Sequence, residues 1–148
     1  MKTKNSILIG ILFISIMIGS IIPVSAWSNG YMGVEFSLSH KTIIKQGNNM
    51  DLTVTVFGHP EDALFTHRID NMPVDIKVIS TNGNKTVYTD KQTSNWWGHA
   101  KFKLQLSNLP KGEYWIVADI PNNYEYQYDT YDRYRCFSHP AVGRFFIV

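Results

Sequence analysis

The 148-residue chain carries 14 basic and 12 acidic side chains, one cysteine and 14% aromatic residues. This near-balance of charge excludes a protein whose whole surface attracts nucleic acid or an anionic membrane. A single cysteine excludes an internal disulfide framework, so the fold depends on packing.

The first 26 residues have the pattern of a secretory signal. Lys2 and Lys4 precede an apolar run, residues 7–22, and the small side chains of Val24 and Ala26 follow it. This pattern predicts cleavage after Ala26 and export to the cell surface or the medium. The alternative is that the segment stays as a membrane anchor, since it approaches the roughly 20 apolar residues that a spanning helix needs. Without Lys2 and Lys4, 12 of the 14 basic residues remain, equal to the 12 acidic ones.

The rest, residues 27–148, is long enough for one domain and alternates apolar with polar side chains. This alternation predicts half-buried strands, and Asn82-Gly83 predicts a hairpin turn. We expect an all-β fold: an immunoglobulin-like antiparallel β-sandwich of about seven strands with a long C-terminal hairpin. The predicted strands are 34–38, 50–56, 74–78, 85–90, 99–106, 113–120 and 142–148.

Three segments then resemble a known family: KTIIKQGNNMDLTVTV, MPVDIKVISTNGNKTVY and KQTSNWWGHAKFKLQLSNLPKGEYWIVADI. They are similar to macroglobulin-type and related immunoglobulin-like extracellular modules, over roughly residues 41–120. The resemblance implies a sandwich fold and says little about function. Within it, Gly112 and Tyr114 match a corner at the start of a late strand. We expect the Tyr114 hydroxyl to hydrogen-bond to nearby backbone there, a structural role.

The segment NNYEYQYDTYDRYRC, residues 122–136, holds five tyrosines. If strand 113–120 pairs with 141–148 so that Ile120 faces Ala141, the pairing continues to a turn at residues 129–132. Because side chains alternate along a strand, one face then combines tyrosines with arginines and a phenylalanine. Its members are Tyr124, Tyr126, Tyr128, Arg133, Arg135 and Phe137, with Tyr131 in the turn. Two interpretations stay open: the tyrosines brace the hairpin, or they bind a partner with the arginines.

Trp96 and Trp97 occupy a predicted turn. Either one indole covers the core, or the pair forms a platform for a sugar ring or a partner protein. Asn84-Lys85-Thr86 is a glycosylation acceptor sequence beside the predicted turn, so Asn84 is a candidate modification site.

Evidence for catalytic chemistry is sparse. The five histidines, His40, His59, His67, His99 and His139, are too far apart in sequence for a short metal-ligand motif. We expect no metal, no cofactor and no catalytic residue, and we interpret Glu61 and Asp62 beside His59 as a solvated loop. Cys136 has three interpretations: a partly buried or merely free thiol, an intermolecular disulfide, or a nucleophile.

Together these patterns predict an exported, non-enzymatic binding or structural module that contacts another protein. The first alternative is a carbohydrate-binding module that uses Trp96, Trp97 and the loop tyrosines. The second is a secreted metal-binding or hydrolytic protein centred on His59, His67 or Cys136. No nucleic acid is expected, and a membrane is expected only through an uncleaved N-terminal segment.

Overall fold

The computed structural model describes residues 29–61, 63–127 and 133–148. These ranges contain eleven strands: β1 (Asn29–His40), β2 (Ile43–Ile44), β3 (Met50–Pro60), β4 (His67–Arg68), β5 (Pro73–Ser80), β6 (Lys85–Thr93), β7 (His99–Leu104), β8 (Gly112–Asp119), β9 (Glu125–Gln127), β10 (Arg133–Ser138) and β11 (Ala141–Ile147). Within the same ranges, no helix has the length and apolar character to cross a membrane.

The strands form two sheets. The first has the order β4-β3-β1-β10-β9, with β7 also paired to β3, and the second has the order β2-β11-β8-β5-β6. The long strands follow the order of an immunoglobulin-like sandwich, with β1, β3 and β7 in one sheet and β6, β5, β8 and β11 in the other. The predicted all-β sandwich is therefore confirmed.

Two details of the fold prediction are wrong: the strand count and the purely antiparallel pairing. β1 pairs with β10 in parallel, and β2 pairs with β11 in parallel. The physical reason lies in two of the places where the chain changes sheets. β1 is in the first sheet and the following β2 is in the second, and β10 and β11 repeat this change. Strands that run the same way then become neighbours.

Three connections meet at one end of the sandwich, which we call the loop end. They are residues 61–72 after β3, 94–98 after β6, and 120–140 between β8 and β11, of which 62 and 128–132 lie outside the described residues. Hydrogen bonds tie the first two together: the Asn71 amide donates to the Ser94 carbonyl oxygen at 2.9 Å, and the Ser94 hydroxyl donates to the Ile69 carbonyl oxygen at 2.7 Å. β1 also begins here, because Met32 pairs with Pro60.

The opposite end contains the predicted turn and the predicted corner. Ser80 pairs with Lys85 around Asn82-Gly83, where Gly83 has a φ of 85°, so the hairpin is confirmed. Asn84 is exposed in this turn with a φ of 49°. Its acceptor sequence is thus accessible, and its glycosylation stays a prediction.

Tyr114 forms the predicted corner. Its hydroxyl donates to the Pro110 carbonyl oxygen at 2.7 Å, and its ring stacks on Phe145 with centroids 5.3 Å apart. Burial raises the pKa of the Tyr114 hydroxyl, which keeps this donor protonated. Gly112, the other predicted corner residue, begins β8 opposite Ile147. The corner fixes the crossover from the first sheet to the second.

Replacing Tyr114 by phenylalanine removes only this hydroxyl. We expect the free energy of unfolding to fall by about 1 kcal/mol, the usual net contribution of one hydrogen bond. Urea denaturation of Tyr114→Phe measures the loss. The exposed Tyr31, changed to phenylalanine, is the matched control and should shift the value by less than about 0.5 kcal/mol. Equal effects for both variants would contradict the corner.

Candidate functional site

The C-terminal hairpin has a different register from the predicted one. Tyr126 pairs with Tyr134, whereas the prediction placed it opposite Arg135. In the second sheet Ala118, not Ile120, pairs with Ala141. The predicted ladder assumed that the strands continue in one sheet, but the chain leaves the second sheet after β8. Because the two ladders lie in different sheets, the register of one does not fix the register of the other.

This register reverses the predicted faces. Tyr126 and Tyr134 are each only 6% exposed and belong to the core, and Tyr124 is half-buried against it. Arg133, Arg135 and Phe137 share the opposite, solvent-facing side of the hairpin. The prediction of one mixed tyrosine and arginine face is therefore wrong, because a one-residue shift turns every side chain over. Tyr128 and Tyr131 lie outside the described residues.

The inward tyrosines brace the loop end. The Tyr126 hydroxyl donates to Asp70 Oδ1 at 3.0 Å, which connects the hairpin to the segment 61–72. The Cys136 amide donates to the Tyr124 carbonyl oxygen at 2.9 Å, which extends the pairing of β9 and β10. At the base, the Ser138 hydroxyl donates to the Asp119 carboxylate, and β10 is thereby joined to the end of β8. These contacts favour the bracing interpretation.

Cys136 is buried and free. Burial raises the pKa of its thiol to about 11, despite a lowering contribution from a backbone hydrogen bond at Tyr126. At neutral pH the thiol therefore stays protonated, whereas a cysteine nucleophile must be a thiolate. The burial favours the interpretation as a merely free thiol over the interpretation as a nucleophile, and the intermolecular disulfide stays open.

An aromatic residue of β1 lies beside Phe137 on the outward face of the hairpin. Tyr31 of β1 pairs with Arg135, and its ring contacts Phe137 with centroids 5.3 Å apart. Arg135 reaches Glu125 on β9 at 4.0 Å. Sequence reasoning missed Tyr31 because the predicted first strand began at Val34. Alternation within Tyr31–Gly33 was the available signal, since Met32 is buried beside the exposed Tyr31.

The turn between β6 and β7 presents two indoles to solvent. Trp96 is 79% exposed and Trp97 is 63% exposed, so neither covers the core. The turn itself is fixed by its backbone: Asn95 Oδ1 accepts from the amides of Trp97 at 2.9 Å and His99 at 3.0 Å. Gly98 completes the turn with a φ of 72°. The two indoles are thus exposed on a turn whose backbone is fixed by hydrogen bonds.

Two more apolar side chains lie at the same end. Leu64 is 92% exposed and Phe65 is 73% exposed, in the segment that leads into β4. β4 follows the Trp96-Trp97 turn along the edge of β3: the Val56 amide donates to the Gly98 carbonyl oxygen at 2.8 Å, and Phe57 pairs with Arg68. We call this set the aromatic edge: Leu64, Phe65, Trp96 and Trp97.

Two of the five histidines contact polar side chains on the surface of the first sheet. His59 contacts the Glu35 carboxylate at 3.7 Å and the Thr66 hydroxyl at 3.1 Å. His99 contacts the Thr55 hydroxyl at 3.0 Å on the face of β3 and β7. Across the described part of the chain, no group of three histidine, cysteine or acidic side chains is arranged to hold a metal ion. The contacts of these imidazoles are with neighbouring side chains on the sheet surface.

No protein-family model matches the chain, and no curated protein is significantly similar to it.

Because Tyr126 is buried and Arg135 is exposed, substitutions at these two positions should differ in their effect on stability. We expect Tyr126→Ser to lower the free energy of unfolding by about 3 kcal/mol, because it removes a buried ring and its bond to Asp70. Arg135→Ser, one strand away and exposed, should change it by less than about 0.5 kcal/mol. Thermal and urea denaturation measure both variants. If Tyr126→Ser leaves the free energy of unfolding unchanged, the tyrosines must face solvent, and the bracing role is contradicted.

Proposed function

We propose that this protein is exported and acts at or outside the cell surface as a non-enzymatic module that captures a protein partner through the aromatic edge. The observation that carries the proposal is the exposure of Trp96 and Trp97, at 79% and 63%, on a turn fixed by Asn95. Large exposed apolar groups are costly in water and mark contact surfaces. Tryptophan is also among the residues that dominate binding energy in protein interfaces.

The backbone around the indoles supports tight binding. Association loses affinity when it must order loops and side chains. Here Asn95 already holds the turn, and Ser94 joins it to Ile69 and Met72, since the Met72 amide donates to the Ser94 hydroxyl at 3.0 Å. An incoming partner therefore orders little more than the two indole side chains.

The chemistry along the edge favours a protein over a sugar. Leu64 and Phe65 add apolar groups that protein side chains bury well, and exposed Arg68 lies next to Gly98 along the edge. Arginine beside tryptophan is a common hot-spot combination. The resemblance to macroglobulin-type modules also suggests extracellular contacts, and it stays a prediction.

A carbohydrate-binding module is the second candidate, because the same two exposed indoles offer faces for sugar rings. The predicted contribution of the loop tyrosines is weakened, since Tyr126 is buried and Tyr124 is half-buried. Trp96 and Trp97 would then act without them.

The double variant Trp96→Ser, Trp97→Ser tests the proposal. We expect the amount of captured partner to fall at least about tenfold, the effect of removing a hot spot. The free energy of unfolding should change by less than about 1 kcal/mol. The measurement is affinity capture from the extracellular fraction with the exported chain as bait, followed by binding of the purified partner. Titration with soluble glycans, followed by tryptophan fluorescence, tests the carbohydrate candidate on the same protein.

The matched control is Tyr31→Ser, Phe137→Ser, which removes two exposed aromatic rings from the outer face of the first sheet. It should retain capture. If this control loses capture and the tryptophan variant keeps it, the binding surface lies on the hairpin and not on the aromatic edge. Saturable glycan binding that needs the tryptophans, without a protein partner, would replace the proposal by the carbohydrate candidate.

A further inference from the structure

The two sheets differ in the chemistry of their outer faces. On the first sheet most outward side chains of the central strands are polar, for example Ser37 and Ser39 on β1, and the exposed aromatic pair of Tyr31 and Phe137 lies where β1 meets β10. On the second sheet the outward positions of β8 and β11 carry large apolar groups. Trp115 is 42% exposed and Val142 is 63% exposed. The outer face of the first sheet is therefore mainly polar, whereas that of the second sheet carries more large apolar side chains.

These outward apolar side chains are neighbours. Trp115 lies between Ile79 on β5 and Arg144 on β11, and Val117 pairs with Val142. Phe146 pairs with Ile43 on β2, and Arg144 lies over the Phe146 ring at 5.5 Å from its centroid. We call the resulting surface the apolar face, and its members are Ile43, Ile79, Trp115, Val117, Val142 and Phe146.

The sequence of β8, GEYWIVAD, shows why this face is unusual. Tyr114, Ile116 and Ala118 point into the core and are buried, so Trp115 and Val117 have no place there. Strands that are apolar on both sides are typical of sheets covered on both faces. Contiguous apolar surface on a soluble protein marks an interaction site. We infer that another surface covers the apolar face.

We propose that the covering surface is a second copy of this chain, stacked through the same face. Charge is the first argument. Two ion pairs lie in and beside the apolar face: Arg144, between Val142 and Phe146, with Glu113 at 3.5 Å, and Asp75 with Lys91 at 3.2 Å. Each pair offers both signs, so two copies meet without net repulsion and can exchange ion-pair partners. A strongly charged partner gains no attraction here.

Area is the second argument. The members of the apolar face lie on four strands, β2, β11, β8 and β5, so with the eight residues of β8 ordinary strand spacings give at most about 19 by 25 Å, or about 480 Å². Stable interfaces bury about 600–1,000 Å² on each partner. The apolar face lies below this range, which fits a weak, concentration-dependent dimer with the isologous symmetry of most homodimers.

The dimer is independent of the proposed function. The aromatic edge belongs to the loop end and to the edge of β3 in the first sheet, whereas the apolar face lies on the outside of the second sheet. A dimer stacked through the second sheet leaves two aromatic edges free, and bivalent capture raises apparent affinity for clustered partners.

Sedimentation equilibrium of the exported protein tests the dimer. With a thiol reductant present to exclude a Cys136 disulfide, we expect the mass to rise from one chain to two with a dissociation constant below about 1 mM. Val142→Lys places a charge in the apolar face at an exposed position. It should raise that constant at least about tenfold.

Ser37→Lys is the matched control, because it adds the same charge to the outer face of the first sheet. It should leave the dissociation constant unchanged. A mass of one chain at every concentration would overturn the proposal. So would a dimer that survives Val142→Lys, or one that Ser37→Lys weakens equally.

Discussion

The position of β10 between β1 and β9 is the constraint on which the loop end depends. β10 runs parallel to β1 from Arg133 to Ser138 and antiparallel to β9, so it is an interior strand of the first sheet. An interior strand of a sandwich has one face on the core. Its even-numbered side chains, Tyr134 and Cys136, are consequently buried, and its arginines face solvent. In a hairpin arm that projects into solvent, both faces of β10 would be exposed.

This constraint separates structure from binding at the loop end. The hairpin tyrosines fill space between the connections and anchor them, through Tyr126 and Asp70 in particular. Trp96 and Trp97 have no such task, because their turn is held by the side chain of Asn95. The structure therefore frees the indoles for contact while the tyrosines provide rigidity. That arrangement lowers the ordering cost of binding, which is the physical basis of the proposed function.

Local patterns in the sequence were sufficient for part of this account. The alternation in residues 50–56, the Asn82-Gly83 turn and the Tyr114 corner each depend on residues close together in the chain, and each was predicted. The hairpin register was not, because it depends on where the chain changes sheets. The pairing of β1 with β10 joins residues about 100 positions apart, Asn29 with Arg133 at one end, and local periodicity contains no information about it. An error of one residue in such a register exchanges the buried and exposed faces.

Native-state amide hydrogen exchange across residues 133–138 tests the position of β10 most directly. Backbone amides in an interior strand open only with large parts of the fold, so their protection reports the pairing itself. The account predicts that the amides of β10 exchange as slowly as those of its neighbour β1. Exchange in β10 at rates close to those of an unfolded peptide, with β1 still protected, would show a solvated hairpin arm and contradict the account.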